Sequence, residues 1–306
     1  MNEVALLLAA TIASGTPLAL AGLGLLLNER AGVLNLGAEG MMLVAAIAGF
    51  ATAFATGSDV LAFAAGAAAG GGMALVFGVL VIGLNTNQYA TGLALSIFGG
   101  GFSAFVGAGY VGQRLSDRAQ WALPLLSDIP VLGPALFRQH PLAWIALLLC
   151  VAITLMLYRT RAGLILRAIG ESPESAHALG YPVRTLRLLA VVAGGALCGL
   201  AGAFLSVVYA PMWVEGLVAG RGWIALALTA FATWRPARVL LGAYLFGGLT
   251  MVQFWMQTAG VPIASYWLAM LPYVATIVVL AVISRNPTWI RLNMPASLGK
   301  AYHPGH

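Results

Sequence analysis

Nine stretches of this sequence are apolar over enough consecutive residues to cross a bilayer, and no other feature restricts the fold as severely. They read at 4–27, 33–56, 60–84, 88–109, 141–158, 186–210, 217–233, 238–257 and 264–284, against the roughly 20 residues a helix needs to span hydrocarbon. Only 8% of the chain is charged and 61% is hydrophobic, whereas soluble domains carry about 25% charged residues. The expected fold is an all-α polytopic membrane protein with about nine apolar segments, some of them broken or re-entrant. Residues 1–306 are read as one transmembrane domain, with a cytoplasmic loop at 159–187 and a cytoplasmic tail at 285–306. No window has the short apolar core and small-residue cleavage site of a signal peptide, so the first span is read as retained.

A formal net charge of +6 raises nucleic acid as a partner, but the arginines do not share a contiguous face. They cluster in loops: Arg159, Arg161, Arg167, Arg184 and Arg187 in one, Arg235 and Arg238 in another, Arg285 and Arg291 in the tail. The positive-inside rule makes these three segments cytoplasmic. The same parity puts Glu29 and Arg30 inside, and the 110–140 loop and the N-terminus outside.

Within the longest basic loop, Ser172-Pro173-Glu174 has the chemistry of a helix start. The serine oxygen can accept a first-turn amide, proline suits the first helical position, and glutamate complements the dipole. Gly180 then tolerates the left-handed geometry that ends a helix, and Pro182 blocks continuation. A helix of about two turns, roughly 10 Å long, is marginal alone. It is either a docking element for a cytoplasmic partner or an ordinary surface helix.

The segment Ala19-Leu20-Ala21-Gly22-Leu23 recurs as Ala196-Leu197-Cys198-Gly199-Leu200. Each copy is followed by a glycine-punctuated entry into the next span, Gly32 to Met41 in one case and Gly216 to Trp223 in the other, with Glu39 opposite Arg221. The copies lie five spans apart, an odd offset that predicts an inverted repeat with broken spans in corresponding positions.

Intramembrane charge costs about 2.5–3.5 kcal/mol on insertion scales, so Glu39 and Arg221 either pair to hold the bundle or face a pathway. Asn35, Asn85, Asn87, Gln88 and Thr91 form a second polar set near the inner side, able to bond a hydroxylated solute or neighbouring helices. Trp213, Trp223, Trp255 and Phe254 can stack on a ring or serve as an interfacial belt. Cys150 and Cys198 read as small core residues. Gly70 to Gly72 and Gly99 to Gly101 are candidates for close helix approach. His140, His177, His303 and His306 read as solvated. The sequence contains no phosphate-binding Gly-x4-Gly-Lys-Ser/Thr loop, no His-Glu-x-x-His and no Cys-x-x-Cys, and nothing points to catalysis.

Three motif blocks, in order, resemble the membrane permeases of bacterial nucleoside and simple-sugar ABC importers. They are Glu29 to Met42, then Asn87-Gln88 with Gly92 to Leu95, then Arg167 to Pro173 with Ala176, Ala178 and Gly180. Gly220 to Ala227 and Trp234-Arg235-Pro236 are similar to the later signature of the group. The likeness covers about residues 15–285 and is closest to the shorter of two paired permeases. It implies that Gly170, Glu171, Ser172, Pro173, Ala176 and Gly180 form a coupling helix seated in an ATPase groove. It implies a pathway bordered by Asn35, Glu39, Asn87, Gln88, Arg221 and Trp223. The implied partners are a second homologous permease, a cytoplasmic twin-cassette ATPase that holds the ATP and magnesium, and an external or periplasmic solute-binding lipoprotein. This chain itself is expected to carry no cofactor. The expected solute is a nucleoside; simple sugars and riboflavin-like compounds are carried by relatives. An ion-coupled secondary transporter using Glu39 is the alternative the residues leave open.

Overall fold

In the computed structural model, residues 3–116, 121–122, 133, 136–260, 263–284 and 293–302 are described. Arg285, Arg291, His303, His306 and most of the 117–135 loop lie outside them. The helices are α1 (Glu3–Arg30), α2 (Ala38–Thr56), α3 (Asp59–Gly78), α4 (Gln88–Gly107), α5 (Pro141–Arg159), α6 (Arg161–Glu171), α7 (Pro173–Ala178), α8 (Val183–Phe204), α9 (Arg221–Phe231), α10 (Pro236–Thr258) and α11 (Ser265–Ser284). Single π-helical turns extend α3 over Val79–Gly83 and α8 over Leu205–Tyr209. A two-residue antiparallel ladder joins Trp121–Ala122 to Arg138–Gln139.

Among the described residues, seven helices are long and apolar enough to cross a membrane, so the chain is a multi-pass membrane protein. The window read at 33–56 becomes helical only at Ala38, and that at 217–233 only at Arg221, after irregular residues at 31–37 and 210–220. Local chemistry sets the boundaries. Asn87 caps α4 by accepting the amides of Tyr89 and Ala90 at 2.9 and 3.1 Å. Gly57, at φ +69°, closes α2, and Pro236 opens α10.

Helix contacts repeat under exchange of α1–α4 with α8–α11. The two most extensive pairings, α3 with α8 and α1 with α10, are mates under that exchange. So are α2–α8 with α1–α9, α2–α3 with α9–α10, and α2–α4 with α9–α11. Both leading pairings run antiparallel: Gly66 meets Gly199 while Gly78 meets Leu188, and Gly15 meets Tyr244 while Gly22 meets Val239. At the α1–α8 crossing, Cys198 Sγ lies 3.8 Å from the Ala21 carbonyl, and those two residues are equivalent in the sequence repeat. The halves therefore cross on their own equivalent positions.

Close approach rests on small residues, as expected where lipid supplies no hydrophobic driving force between helices. A methyl group on Gly70 would lie 2.4 Å from the Gly195 carbonyl oxygen, and one on Gly99 2.5 Å from Gly40 Cα, whereas Gly72, Gly100 and Gly101 face open space. Met41, Met42, Phe50, Phe77, Phe204 and Trp213 fill the centre. One expectation is overturned: His140 is buried, not solvated. Its Nδ1 accepts the Leu142 amide at 3.2 Å, its Nε2 lies 3.7 Å from Asp59 Oδ2, and its ring packs on Phe63 and Phe204. Histidine before proline served here as a helix cap, which buried it.

Candidate functional site

The basic loop folds into two helices. The amphipathic α6 starts at Thr160, whose Oγ1 accepts the Gly163 amide at 3.2 Å. Ser172 then ends α6 and begins α7, its Oγ accepting the Ser175 amide at 3.2 Å. Gly180 sits at φ +87°, and its amide donates to the His177 carbonyl at 2.8 Å, which stops α7 after six residues. Pro173 and Ala176 are buried, with Ala176 packed among Ile169, Val183 and Tyr302. Gly170 is buried too; a methyl there would lie 2.2 Å from the Arg30 carbonyl oxygen. These three residues seat the helix on the body. The outward face consists of Glu174, Ser175, His177, Ala178 and Leu179, the last 77% exposed, with Glu171 beside it. Glu174 and Leu179 were not singled out as a contact face by the sequence; helical phase around the buried Pro173 and Ala176 assigns them.

The second locus lies deep in the bundle. Gly40, in the first turn of α2, abuts Gly99, which is eleven residues along α4 from Gln88, roughly 17 Å at 1.5 Å per residue. That is about halfway through a hydrocarbon core of about 30 Å. The start of α9 meets α2 at this level. Glu39 Oε1 accepts the Gly220 amide at 2.8 Å and Oε2 the Gly222 amide at 2.7 Å. One carboxylate thus satisfies orphan amides and the positive dipole end of α9 while sitting in the first turn of its own helix. Gly222 permits the approach, since a methyl there would lie 2.6 Å from Glu39 Cα. Arg221 turns the other way, to the carbonyls of Leu217 and Val218 at 3.4 Å each and over the Tyr209 ring at 5.2 Å. Trp223 is 37% exposed beside it.

The remaining polar residues are not gathered there. Asn35 is fully buried and bonds its own turn, Oδ1 accepting the Gly37 amide at 2.9 Å. Gln88 bridges two segments, accepting the Leu34 amide at 2.7 Å and donating to the Lys300 carbonyl at 3.3 Å. Asn87 is the α4 cap described above. Trp213 is fully buried beside Phe50 and is closed to any solute ring.

A model of the family described as branched-chain amino acid transport system / permease component matches residues 7–283. The chain belongs to this permease family. It is 40% identical to a protein of Haloferax volcanii provisionally named a glucose ABC transporter permease, over 99% of both chains. It is 31% identical to a nucleoside ABC transporter permease of Lactococcus lactis, covering 92% of this chain and 93% of that one. It is 28% identical to a guanosine ABC transporter permease of Bacillus subtilis, covering 90% and 91%. No solved structure gave a significant match. The protein is an ABC transporter permease, a transport subunit of the cytoplasmic membrane.

In this permease the Glu29-Arg30 pair closes the end of the bundle that carries α6 and α7. Fully buried Glu29 accepts the Thr229 hydroxyl at 2.9 Å and the Trp234 indole N–H. Arg30 donates to the Trp234 carbonyl at 2.7 and 3.1 Å, to the Asn293 carbonyl at 3.3 Å and to the Tyr158 hydroxyl at 3.4 Å. Together they hold a turn in which Thr233 and Trp234 have φ of +50° and +53°, a conformation that persists only where its surroundings fix it. The tail then runs beneath α7. Ser297 Oγ receives Arg187 at 2.9 Å and donates to the Gly170 carbonyl at 2.7 Å, while the ring of buried Tyr302 lies under the Arg187 guanidinium. The Glu29-Arg30 motif carried a signal for this network; Ser297 and Tyr302 carried none, because their partners are 110 or more residues distant in sequence.

Proposed function

We propose that this permease translocates a nucleoside by alternating access, driven by a separate ATPase on which α7 docks. The observation that carries the reading is α7 itself: a two-turn helix capped at both ends, anchored through Pro173, Ala176 and Gly170, and presenting Glu174 and Leu179 outward. A helix too short to be stable alone and rigidly backed by the bundle can transmit a push. ATP and magnesium bind to the ATPase partner. A second permease completes the pathway, and an external binding protein delivers solute.

The inverted repeat supports rocking of one half against the other. The pathway in this reading passes the junction of α2 and α9, where Trp223 and Arg221 face it and Glu39 fixes the two helix starts. Asn35, Asn87 and Gln88 stand nearer its cytoplasmic mouth. Nucleoside is favoured by the nucleoside and guanosine assignments of two relatives matched over nine-tenths of the chain. Glucose is a second reading, favoured by the 40% identical relative.

Solute-stimulated ATP hydrolysis by the reconstituted four-component complex separates the two. Stimulation by nucleosides and not by glucose is expected. Stimulation by glucose alone would keep the mechanism and overturn the solute.

A further inference from the structure

A cavity of about 540 Å³ opens at the cytoplasmic end between the last turns of α5, α6, the start of α10 and residue 293. Arg30, Arg167 and Arg235 line it, against a single carboxylate, Glu171. Arg30 is already engaged by the Trp234 carbonyl and Tyr158, and Glu171 accepts the Ala296 amide at 3.4 Å. The other two guanidinium groups are not so engaged. Arg167 lies over the Tyr158 ring at 5.3 Å with its Nε buried and unpartnered among the described residues. Arg235 is exposed at the threshold of α10.

We infer that this cavity binds a phosphate group, and that the phosphate is the headgroup of an anionic phospholipid from the inner leaflet. Planar guanidinium forks match phosphate oxygens in pairs of hydrogen bonds, which a single ammonium does not. The first turn of the 23-residue α10 borders the cavity and adds its positive dipole end. Depth selects the lipid: Tyr158 lies in the final turn of α5, where that span leaves the hydrocarbon, and basic pockets between spans on the cytoplasmic side suit such headgroups. The site meets the outward face of α7 only at Glu171 and lies away from the junction at Glu39, so it stands whether or not the solute reading holds.

Native mass spectrometry of the delipidated full chain tests it, with titration by phosphatidylglycerol, by phosphatidylcholine of the same acyl chains, and by inorganic phosphate. Phosphatidylglycerol should be retained in preference to phosphatidylcholine. The R167Q/R235Q double variant should weaken phosphatidylglycerol binding by on the order of tenfold and leave phosphatidylcholine unchanged. Arg235→Gln alone, at an exposed position whose side chain caps no helix amide, should weaken it severalfold. Equal retention of both lipids, or unchanged retention of phosphatidylglycerol in Arg235→Gln and the double variant, would overturn the site. Inorganic phosphate binding as tightly as the lipid would overturn the headgroup assignment.

Discussion

Replacing Glu39 with alanine should destabilise this permease far more than loss of an ordinary interhelical hydrogen bond. The carboxylate receives two backbone amides, from Gly220 at 2.8 Å and Gly222 at 2.7 Å, and both belong to the helix start of α9. Interhelical side-chain bonds measured in membranes average about 0.6 kcal/mol because alternative partners are found. Here the donors are backbone groups about halfway through the bilayer. A buried donor left unsatisfied costs about 1–3 kcal/mol, so Glu39→Ala should cost about 2–4 kcal/mol, the full penalty for buried Gly222 and a smaller one for half-buried Gly220. Glu39→Gln keeps one acceptor oxygen but offers donors to the other amide and loses the charge that complements the α9 dipole, for a loss of roughly half that. Equilibrium unfolding of the chain in mixed micelles, followed by circular dichroism, reads both. An Ala variant within about 1 kcal/mol of wild type, below the cost of one unsatisfied amide, would refute the pinning role. A Gln variant as damaging as Ala would show that charge, rather than the acceptor oxygens, carries the effect.

Three further expectations follow from the same geometry. Trp234→Phe removes the indole donor to buried Glu29 and should cost at least about 1–3 kcal/mol, read as a shift of the unfolding midpoint; no shift would mean the Glu29 carboxyl does not depend on it. Tyr302→Ala empties a buried position under α7 and should cost about 3–5 kcal/mol, by analogy with other large aromatic truncations, with faster amide exchange over 293–302 and 173–178; unchanged exchange in α7 would separate the tail from the coupling surface. Leu179→Asp alters only the exposed face of α7, so it should lower solute-stimulated ATP hydrolysis at least tenfold while leaving the unfolding midpoint within about 0.5 kcal/mol of wild type; retained stimulation would exclude this face as the ATPase contact.

The apolar windows and the caps of α7 were legible because each rests on neighbours in sequence, and the repeat because its copies share a short string, Ala19 to Leu23 and Ala196 to Leu200. Ser172, Pro173 and Gly180 act within one or two turns, and the span pattern is set by composition. What sequence left open was the direction in which each polar side chain turns. Glu39 and Arg221 are equivalent in the repeat and close in space, yet they take different partners, one amides and the other carbonyls and a ring, because a helix start offers only donors to an acid and the loop before it offers only acceptors to a base. His140 was misread because a cap and a solvated loop residue have the same local sequence. The α6 helix was unannounced, since its Arg-rich turns resemble loop composition. The Ser297 and Tyr302 contacts bring together residues 110 or more positions apart, and no spacing encodes that.

The central claim is that transport by this chain is driven by an ATPase acting on α7. Its most direct test is solute uptake into proteoliposomes holding the permease pair and supplied with the external binding protein, compared with and without the ATPase, under ATP and under an imposed proton or sodium gradient. The account predicts uptake only with the ATPase and ATP, abolished by Leu179→Asp. Full-rate uptake without the ATPase, driven by the ion gradient and lost in Glu39→Gln, would contradict it and make the chain a secondary transporter.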